Sequence, residues 1–375
     1  MFKSICIFTG RYPTKDNPES AFVRPFASAL ADMGIDVSVI CVQSITHALT
    51  SKGKLRPEKW EDRTEEGNII TIYQPRNITL SNRAAAINRY TSNHAIRKCI
   101  SKYSINPDIV YAYFWHLAVQ AYVAFPNKPI FVATGESKIW VDDVWNRKTT
   151  NKALKQIVGV IGVSRKNIDE SKKLGLLKEN PAVLIAPNAI DPIMFYHYDR
   201  DVARRKLGFD QDAFIGIFVG EFSERKGSER VLAAAKAIPD LQLIMIGKGT
   251  LSDSSQIIFQ GTLAHEEIVN YLNAADFFIL PTLAEGCCNA IVEAMACGLP
   301  IISSDESFND DLLDQTNSIR LNPSNVDEIK DAIFRMKDDS LRKQMQSNSL
   351  QKSKNNTIVG RCNKVVKFII QCVGN

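Results

Sequence analysis

No apolar run in this chain of 375 residues approaches the ~20 residues that a membrane-spanning helix needs. A helical membrane protein is therefore not expected. The opening stretch MFKSICIFTGRYP has one lysine and then a short apolar run without a small-residue cleavage site. It reads as a first buried strand rather than a signal peptide, and the expected location is cytoplasmic. Cysteine is also scarce: eight in the chain are too few for a disulfide framework. No C-x-x-C pair occurs and the five histidines are scattered, so no metal site is expected. Cys6 and Cys41 fall in predicted strands, Cys99 and Cys297 in predicted helices, where a thiol serves as a small core hydrophobe. The adjacent pair Cys287-Cys288 suits neither zinc nor a relaxed disulfide. No G-x-G-x-x-G follows a predicted strand, FTGRYP included, which argues against a dinucleotide oxidoreductase.

What is present is an ordinary globular composition, 45% hydrophobic and 23% charged, on a length that suits two domains of roughly 100–200 residues each. The net charge of +5 hides an asymmetry. Residues 1–190 carry 26 Lys+Arg against 16 Asp+Glu, and residues 191–375 carry 20 against 25. A basic half and an acidic half point to different partners. Arg83, Arg89, Arg97, Lys98 and Lys102 lie on or near one predicted helix, and would favour an anionic membrane surface or a lipid-diphosphate carrier over nucleic acid.

Short runs rich in Ile and Val alternate with helical periods along the chain. SICIFTG and DVSVICVQ read as strands around a helix on which Phe22, Phe26, Leu30 and Met33 share a face and Gly34 is the stop. NIITIYQP, DIVYAYF, PIFVATGES, QIVGVIGVS and AVLIAPNAID continue the strands, with helices predicted from Ser81 to Tyr103 and over LAVQAYVAF and RKNIDESKKLG. A second series starts near Asp201: AFIGIFVGEF, LQLIMIGKG, IIFQG, DFFILPT and PIISS are strands, GSERVLAAAKAI, HEEIVNYLNAA and VDEIKDAIFRMK helices. Solidly apolar strands separated by helices argue for parallel sheets covered on both faces. The pattern occurs twice, so the expected fold is α/β, two doubly wound domains facing each other across a cleft. The predicted domains are residues 1–192 and 193–357, with a C-terminal amphipathic helix over 358–375 packing back on the first.

Ligands of such sheets bind at the carboxyl ends of strands. In FVGEFSERKGSERVL a strand ends at Gly220, Arg225 and Lys226 occupy a turn, Gly227 leaves room for close backbone approach, and a helix opens. Two cations and a helix N-terminus there would hold a diphosphate. In AEGCCNAIVEAMACGLP the helical spacing of Ile291, Val292, Met295 and Ala296 makes Asn289 the predicted N-cap and Gly298 the stop. The N–H groups of residues 287–290 would then point out of the helix as orphan donors, unobstructed by Gly286, Cys287 and Cys288. Glu285 in the loop could accept hydrogen bonds from sugar hydroxyls, and Glu293 from a ribose diol. Tight turns at Gly247, Gly249 and Gly261 follow strands, and backbone at Gly261, Thr262 and Leu263 could face a nucleobase.

Two glutamates eight positions apart could also suggest a metal site or a hydrolytic pair. A metal needs more converging ligands than this pair offers. A hydrolytic pair must flank one glycosidic bond, whereas here an anion-binding helix tip lies between the two carboxylates. The arrangement fits the two ends of one ligand with a diphosphate in the middle, a nucleotide sugar.

At these residues the chain resembles glycosyltransferase family 4, the retaining enzymes of the GT-B fold, of the bacterial surface-polysaccharide type. ADFFILPTLAEGCCNAIVEAMACGLPIISSD is similar to that family's E-x7-E block, and VSRKNIDE, NAID, VGEFSERKG and IGKG fall in family order. The resemblance implies that Lys226 holds the donor diphosphate, Glu293 the ribose hydroxyls and Glu285 the donor sugar, with backbone from Gly286 to Ala290 meeting phosphate or sugar. The sequence departs from the pattern in three places. Glu221 stands where arginine is usual after Gly220, with Arg225 as the substitute cation. Ser20 and Ala21 stand in a turn, PESAFV, where glycine is common. Thr134-Gly135 stands where a His-Gly pair is common, which leaves His116 as a stand-in on the acceptor side together with Thr134 and Gly135.

The implied reaction is a metal-independent, cofactor-free transfer of a sugar from a nucleotide-sugar donor to a glycan or lipid-linked acceptor, in lipopolysaccharide, O-antigen or capsule assembly. Fixed cations and N–H dipoles would meet the charge that builds on the leaving diphosphate. An epimerase of the same fold, needing no acceptor, and a non-catalytic nucleotide-sugar binder are the alternatives.

Overall fold

The computed structural model describes residues 2–14, 20–50, 55–80 and 84–374. Arg83, the predicted helix start at Ser81 and Pro18-Glu19 of the PESAFV turn lie outside the described residues. The chain divides into two units. One comprises residues up to Val163, Asn167–Ala186 and Cys362 onward; the other comprises Ser164–Lys166 and Pro187–Arg361.

The first unit is built on an eight-stranded sheet: β1 (Ser4–Phe8), β2 (Asp36–Ile40), β3 (Lys59–Arg63), β4 (Ile69–Tyr73), β5 (Ile109–Tyr113), β6 (Ile130–Thr134), β7 (Ile157–Gly162) and β8 (Ala182–Ile185). Their spatial order is β8-β7-β6-β5-β1-β2-β4-β3. All neighbours are parallel except β3 and β4. The central strands β5 and β6 are buried at every position, because helices cover both faces, and this is why they read as unbroken apolar runs. The antiparallel edge strand β3, KWEDR, alternates exposed and half-buried residues and carries charges that discourage further pairing. Its polar composition hid it from the sequence reading. The helix Val23–Asp32 buries Val23, Phe26 and Leu30, while Met33, expected on that face, is its C-cap and 40% exposed.

The last helix, Ile358–Val373, brings Cys362, Val365 and Ile369 to full burial. Cys362 Sγ lies 3.7 Å from Met33 Sδ, and the Phe368 ring packs edge-on against Phe131, 6.1 Å between centroids. A Cβ at Gly159 would meet both of those rings, at 2.6 and 2.9 Å.

The second unit is built on six parallel strands: β9 (Phe214–Val219), β10 (Leu241–Ile246), β11 (Ile257–Gly261), β12 (Phe277–Leu280), β13 (Ile301–Ser304) and β14 (Ser318–Leu321). Their order is β11-β10-β9-β12-β13-β14, so the winding reverses between β9 and β12, where such sheets bind ligands at their carboxyl ends. The amino ends of those two strands are pinned by a buried ion pair. Arg204, with no exposure, donates to Asp276 Oδ2 at 2.9 Å and to the carbonyls of Ala274 and Ala213, each at 2.9 Å. Asp276 Oδ2 also accepts the Ile215 N–H at 2.8 Å. Satisfied this fully, the buried pair fixes the relative placement of β9 and β12. The strand β14 and the helix Asp339–Lys354 lie outside the elements expected from sequence; the helix has only Met345, Ser349 and Ser353 buried, too few apolar residues to show a period.

Candidate functional site

The strand β9 runs out through Gly220, which packs against the turn after β10. A Cβ on Gly247 would lie 1.8 Å from the Gly220 carbonyl oxygen, so the close backbone approach admits only glycine. Residues 223–227 then form a turn in which the N–H groups of Lys226 and Gly227 donate to the Ser223 carbonyl at 3.1 and 3.0 Å. Gly227 takes φ 82° at the start of the helix Ser228–Ala235, and a Cβ there would meet the Pro281 carbonyl oxygen at 2.6 Å.

From the other side of the reversal, the loop after β12 is stitched to this turn. Leu283 N–H donates to the Arg225 carbonyl at 2.8 Å, and Thr282 Oγ1 donates to the same oxygen at 3.2 Å. The side chains converge as well. Arg225 Nη1 donates to Glu285 Oε1 at 2.9 Å and to the Ala284 carbonyl at 3.0 Å. Lys226 Nζ pairs with that same carboxylate oxygen, and Thr282 Oγ1 stands 3.3 Å from it. Lys226 and Glu285 are each 13% exposed and Arg225 is 42% exposed. Two cations and one carboxylate thus form a half-buried cluster at the reversal point, carrying one net positive charge. Ser223 Oγ, in the same turn, is buried without a hydrogen-bond partner among the described residues. An anion would satisfy it.

The helix Asn289–Ala296 opens beside this cluster in sequence. Its N-cap is Cys288, whose side chain makes no capping bond, rather than the expected Asn289. Asn289 is instead held by Asn188, whose Nδ2 donates to Asn289 Oδ1 at 2.7 Å and to the Cys287 carbonyl at 3.0 Å. Asn356 in turn donates to the Asn188 carbonyl at 2.7 Å. The side-chain oxygen that would have capped the helix is thereby engaged elsewhere. Cys287 and Cys288 are buried, and burial pushes their thiols up to about 12 and about 11. They are neutral, compact wall residues rather than nucleophiles. The stop at Gly298, φ 80°, stands where the sequence put it.

Glu293 is 9% exposed on this helix, and His265 Nε2 donates to its Oε1 at 2.9 Å. That bond raises the His265 imidazole above its ordinary range, against the burial that would lower it. The His265 ring packs on Phe195 with centroids 5.0 Å apart. His265 follows the loop of Gly261, Thr262 and Leu263 after β11, so the ion pair ties that loop to the helix bearing Glu293. His265, Asn188, Thr282 and Ser223 were missed by the sequence reading. They lie in HEEIVNYLNAA, NAID, DFFILPT and VGEFSERKG, but a lone polar residue in a loop or at a strand end carries no pattern of its own. Glu221, the departure after Gly220, is exposed.

In the first unit the acceptor-side candidates separate. Thr134 is fully buried and its hydroxyl donates to Glu136 Oε2 at 2.7 Å; it is an internal group, closed to a ligand. The Gly135 N–H donates to the same oxygen at 2.9 Å, and Glu136 Oε1 accepts the Trp115 N–H at 2.9 Å. Glu136 is thus a buried carboxylate joining the ends of β5 and β6, and burial raises its carboxyl above the usual range. His116 is half-buried, stacked on Trp140 with centroids 4.4 Å apart, and burial pushes its imidazole down to about 4. Of the basic residues near the helix Ala85–Tyr103, Lys102 pairs with Glu58 at 2.6 Å, Arg89 lies over the Trp145 ring, and Arg97 and Lys98 are exposed. Among the described residues no three His, Cys, Asp or Glu side chains gather as metal ligands, and no helix is long and apolar enough to cross a membrane.

Residues 199–352 match the sequence model of the family described as glycosyl transferases group 1. That stretch is similar to the group 1 glycosyl transferases. The matched span contains both cations, both glutamates and His265 of the site. TuaC of Bacillus subtilis, named as a teichuronic acid biosynthesis glycosyltransferase, is 25% identical over 355 residues, covering 89% of each chain. An Escherichia coli enzyme named UDP-Gal:alpha-D-GlcNAc-diphosphoundecaprenol alpha-1,3-galactosyltransferase is 28% identical over 213 residues, 52% of this chain and 55% of that one. Among solved structures, sucrose-phosphate synthase from Thermosynechococcus elongatus aligns with a TM-score of 0.80 at 16% identity, covering 99% of both chains. The Anabaena HepE protein in complex with UDP and glucose aligns at 0.70 and 16% identity, covering 98% of this chain and all of that one. The two structural likenesses show the GT-B fold, with two Rossmann-like units.

Proposed function

We propose that this glycosyltransferase moves a sugar from a nucleotide-sugar donor to a glycan or lipid-linked acceptor with retention of anomeric configuration, in assembly of a surface polysaccharide such as lipopolysaccharide, O-antigen or capsule. The observation that carries the proposal is the convergence of Arg225 and Lys226 on Glu285 at the reversal of the second sheet. A diphosphate entering there would exchange for the carboxylate as the partner of both cations, and the freed Glu285 oxygens would accept from hydroxyls of the donor sugar. Glu293, oriented by His265, would take the ribose diol, and the unpartnered Ser223 hydroxyl would donate to a phosphate oxygen.

In the transfer step, the acceptor hydroxyl oxygen forms a bond to the anomeric carbon. The bond from that carbon to the diphosphate oxygen breaks, its electron pair staying on the oxygen. The acceptor proton passes to the leaving diphosphate. Arg225, Lys226 and the helix tip at Cys287–Ala290 neutralise the charge that grows on that oxygen, which favours the transition state over the bound donor. These groups supply the positive charge without a resident metal, and no cofactor enters the step. The names of the Bacillus subtilis and Escherichia coli relatives favour a surface glycan or a lipid-linked acceptor. The exposed Arg97 and Lys98 favour peripheral attachment to an anionic cytoplasmic membrane face.

A thermal-shift screen of UDP-, GDP-, ADP- and TDP-sugars tests donor binding. A true donor at a hundredfold excess over its dissociation constant adds about 2.7 kcal/mol of stability. Nucleotide release from that donor must then depend on an added acceptor, and the product's anomeric configuration must match the donor's by NMR. Stabilisation by none of the four classes, or donor consumption without acceptor, would overturn the reading. Sedimentation with neutral and anionic vesicles at low and high salt tests the membrane element; equal binding to both vesicle types would remove it.

A further inference from the structure

The first sheet also reverses its winding, between β1 and β5, and the carboxyl end of β5 carries an unusual run, Phe114-Trp115-His116. Phe114 adopts φ 70° and ψ 148°, backbone that a side chain rarely takes and that surrounding structure must enforce. The enforcement is visible on both flanks. Phe114 N–H donates to the Ala133 carbonyl at 2.8 Å, the Trp115 N–H is held by the buried Glu136, and the Trp115 indole is fully buried, its Nε1 donating to Ser171 at 2.9 Å. The His116 carbonyl accepts from Trp145 Nε1 at 2.8 Å. The strained corner delivers the His116 ring nearly parallel to Phe114, at 15°, and to Trp140, at 25°. Trp140 remains 44% exposed. With its imidazole held neutral by burial, His116 adds aromatic surface without charge.

We propose that Trp140, backed by His116, is a stacking platform for a pyranose ring of the acceptor. A flat, uncharged aromatic face at the ligand-binding end of a doubly wound sheet matches the apolar C–H face of a sugar ring, and a large rigid ring offers that contact at little cost in conformational freedom. An anionic headgroup would find no cation in the stack itself. The inference rests on the proposed glycan acceptor and names the chemistry by which the acceptor is read.

The test uses the full chain and the methyl and octyl pyranosides of glucose, galactose, mannose and N-acetylglucosamine, with octan-1-ol as control. Of the four tryptophans, Trp115 and Trp145 are buried and Trp60 is half-buried, so Trp140 is the most accessible fluorophore and the loss of the response in Trp140→Ala assigns it. A saturable change in tryptophan emission is expected with at least one glycoside and not with octan-1-ol. The change should disappear in Trp140→Ala, while saturation-transfer NMR should still detect glycoside on Trp140→Phe. In transfer assays Trp140→Ala should raise the acceptor KM about tenfold, the scale of one aromatic contact, with donor KM within twofold. No saturable response to any glycoside, the same response to octan-1-ol, or an unchanged acceptor KM in Trp140→Ala would overturn the platform. Glycoside binding that survives alongside a complete lack of transfer would instead overturn the function proposed above and leave the platform standing.

Discussion

Nε2 of His265 lies 2.9 Å from Oε1 of Glu293, and this ion pair joins the loop after β11 to the helix that opens at Asn289. His265 sits on a short helical turn, His265–Glu267, and Glu293 on the buried face of Asn289–Ala296. The pair therefore sets both the orientation of the Glu293 carboxylate and the shape of the loop of Gly261, Thr262 and Leu263. His265→Ala should raise donor KM about tenfold with a smaller effect on kcat, the signature of lost ground-state positioning. Steady-state kinetics at fixed acceptor would check it.

The same pair has a pH signature. The folded-state pKa of His265 is raised above its unfolded value by Glu293. Its stabilisation is accordingly complete below about pH 6.5, the ordinary imidazole value, and is lost as pH rises through the raised folded value. With the imidazole 40% exposed, the contribution is about 1 kcal/mol. The difference in Tm between wild type and His265→Ala should be larger at pH 6 than at pH 9, by differential scanning calorimetry.

Lys226→Ala should reduce kcat by ~10²-fold or more, the scale of removing one donor from a developing oxyanion, while Lys226→Arg keeps the charge and should lose less. Glu285→Gln removes the shared partner of both cations, so donor affinity and kcat should move apart: tighter nucleoside diphosphate binding by calorimetry, slower transfer by product analysis.

Gly247→Ala places a methyl group against the Gly220 carbonyl oxygen, a clash that only backbone movement relieves. The loss should be about 3 kcal/mol or more, with a Tm well below that of Gly208→Ala, where the added carbon meets nothing within 4 Å and strain at φ 72° is the sole penalty. Parallel thermal melts separate the two causes.

Glu136→Gln exchanges one carboxylate oxygen for an amide NH2. Glu136 accepts on both oxygens, from Trp115 N–H on one and from Thr134 and Gly135 on the other, so either orientation of the amide sets donor against donor. The expected cost is about 1–3 kcal/mol, measured by urea unfolding.

The parts of the molecule that sequence reading recovered are those where composition and periodicity agree. Buried parallel strands such as β5 and β6 have no polar face to confuse the pattern, and the glycines at 227 and 298 mark turns that side chains would obstruct. The cations and glutamates of the site were legible because they stand beside a strand end and a helix start. What stayed hidden was set by contacts distant in sequence. Asn188 reaches Asn289 across a hundred residues and displaces it from the capping role that local preference assigns. His265 gains its partner only when β11 and the helix of Glu293 come together. Thr134 looked available because a loop follows β6, but Glu136, two residues on, folds back and seals it. The edge strand β3 and the helix Asp339–Lys354 bury too little apolar surface for any period to register.

The helix Ile358–Val373 begins in one unit and finishes in the other. Cys362, Val365 and Ile369 belong to the interior of the amino-terminal unit, although more than 170 residues of the other unit separate them from its last strand. A fragment cut after Ala186 would expose Phe131 and the groove over Gly159 that Phe368 fills. Dissecting this protein into folded halves thus calls for grafting that helix onto the first half, and ribosomal synthesis cannot complete that half's interior until the codons of the helix have been read.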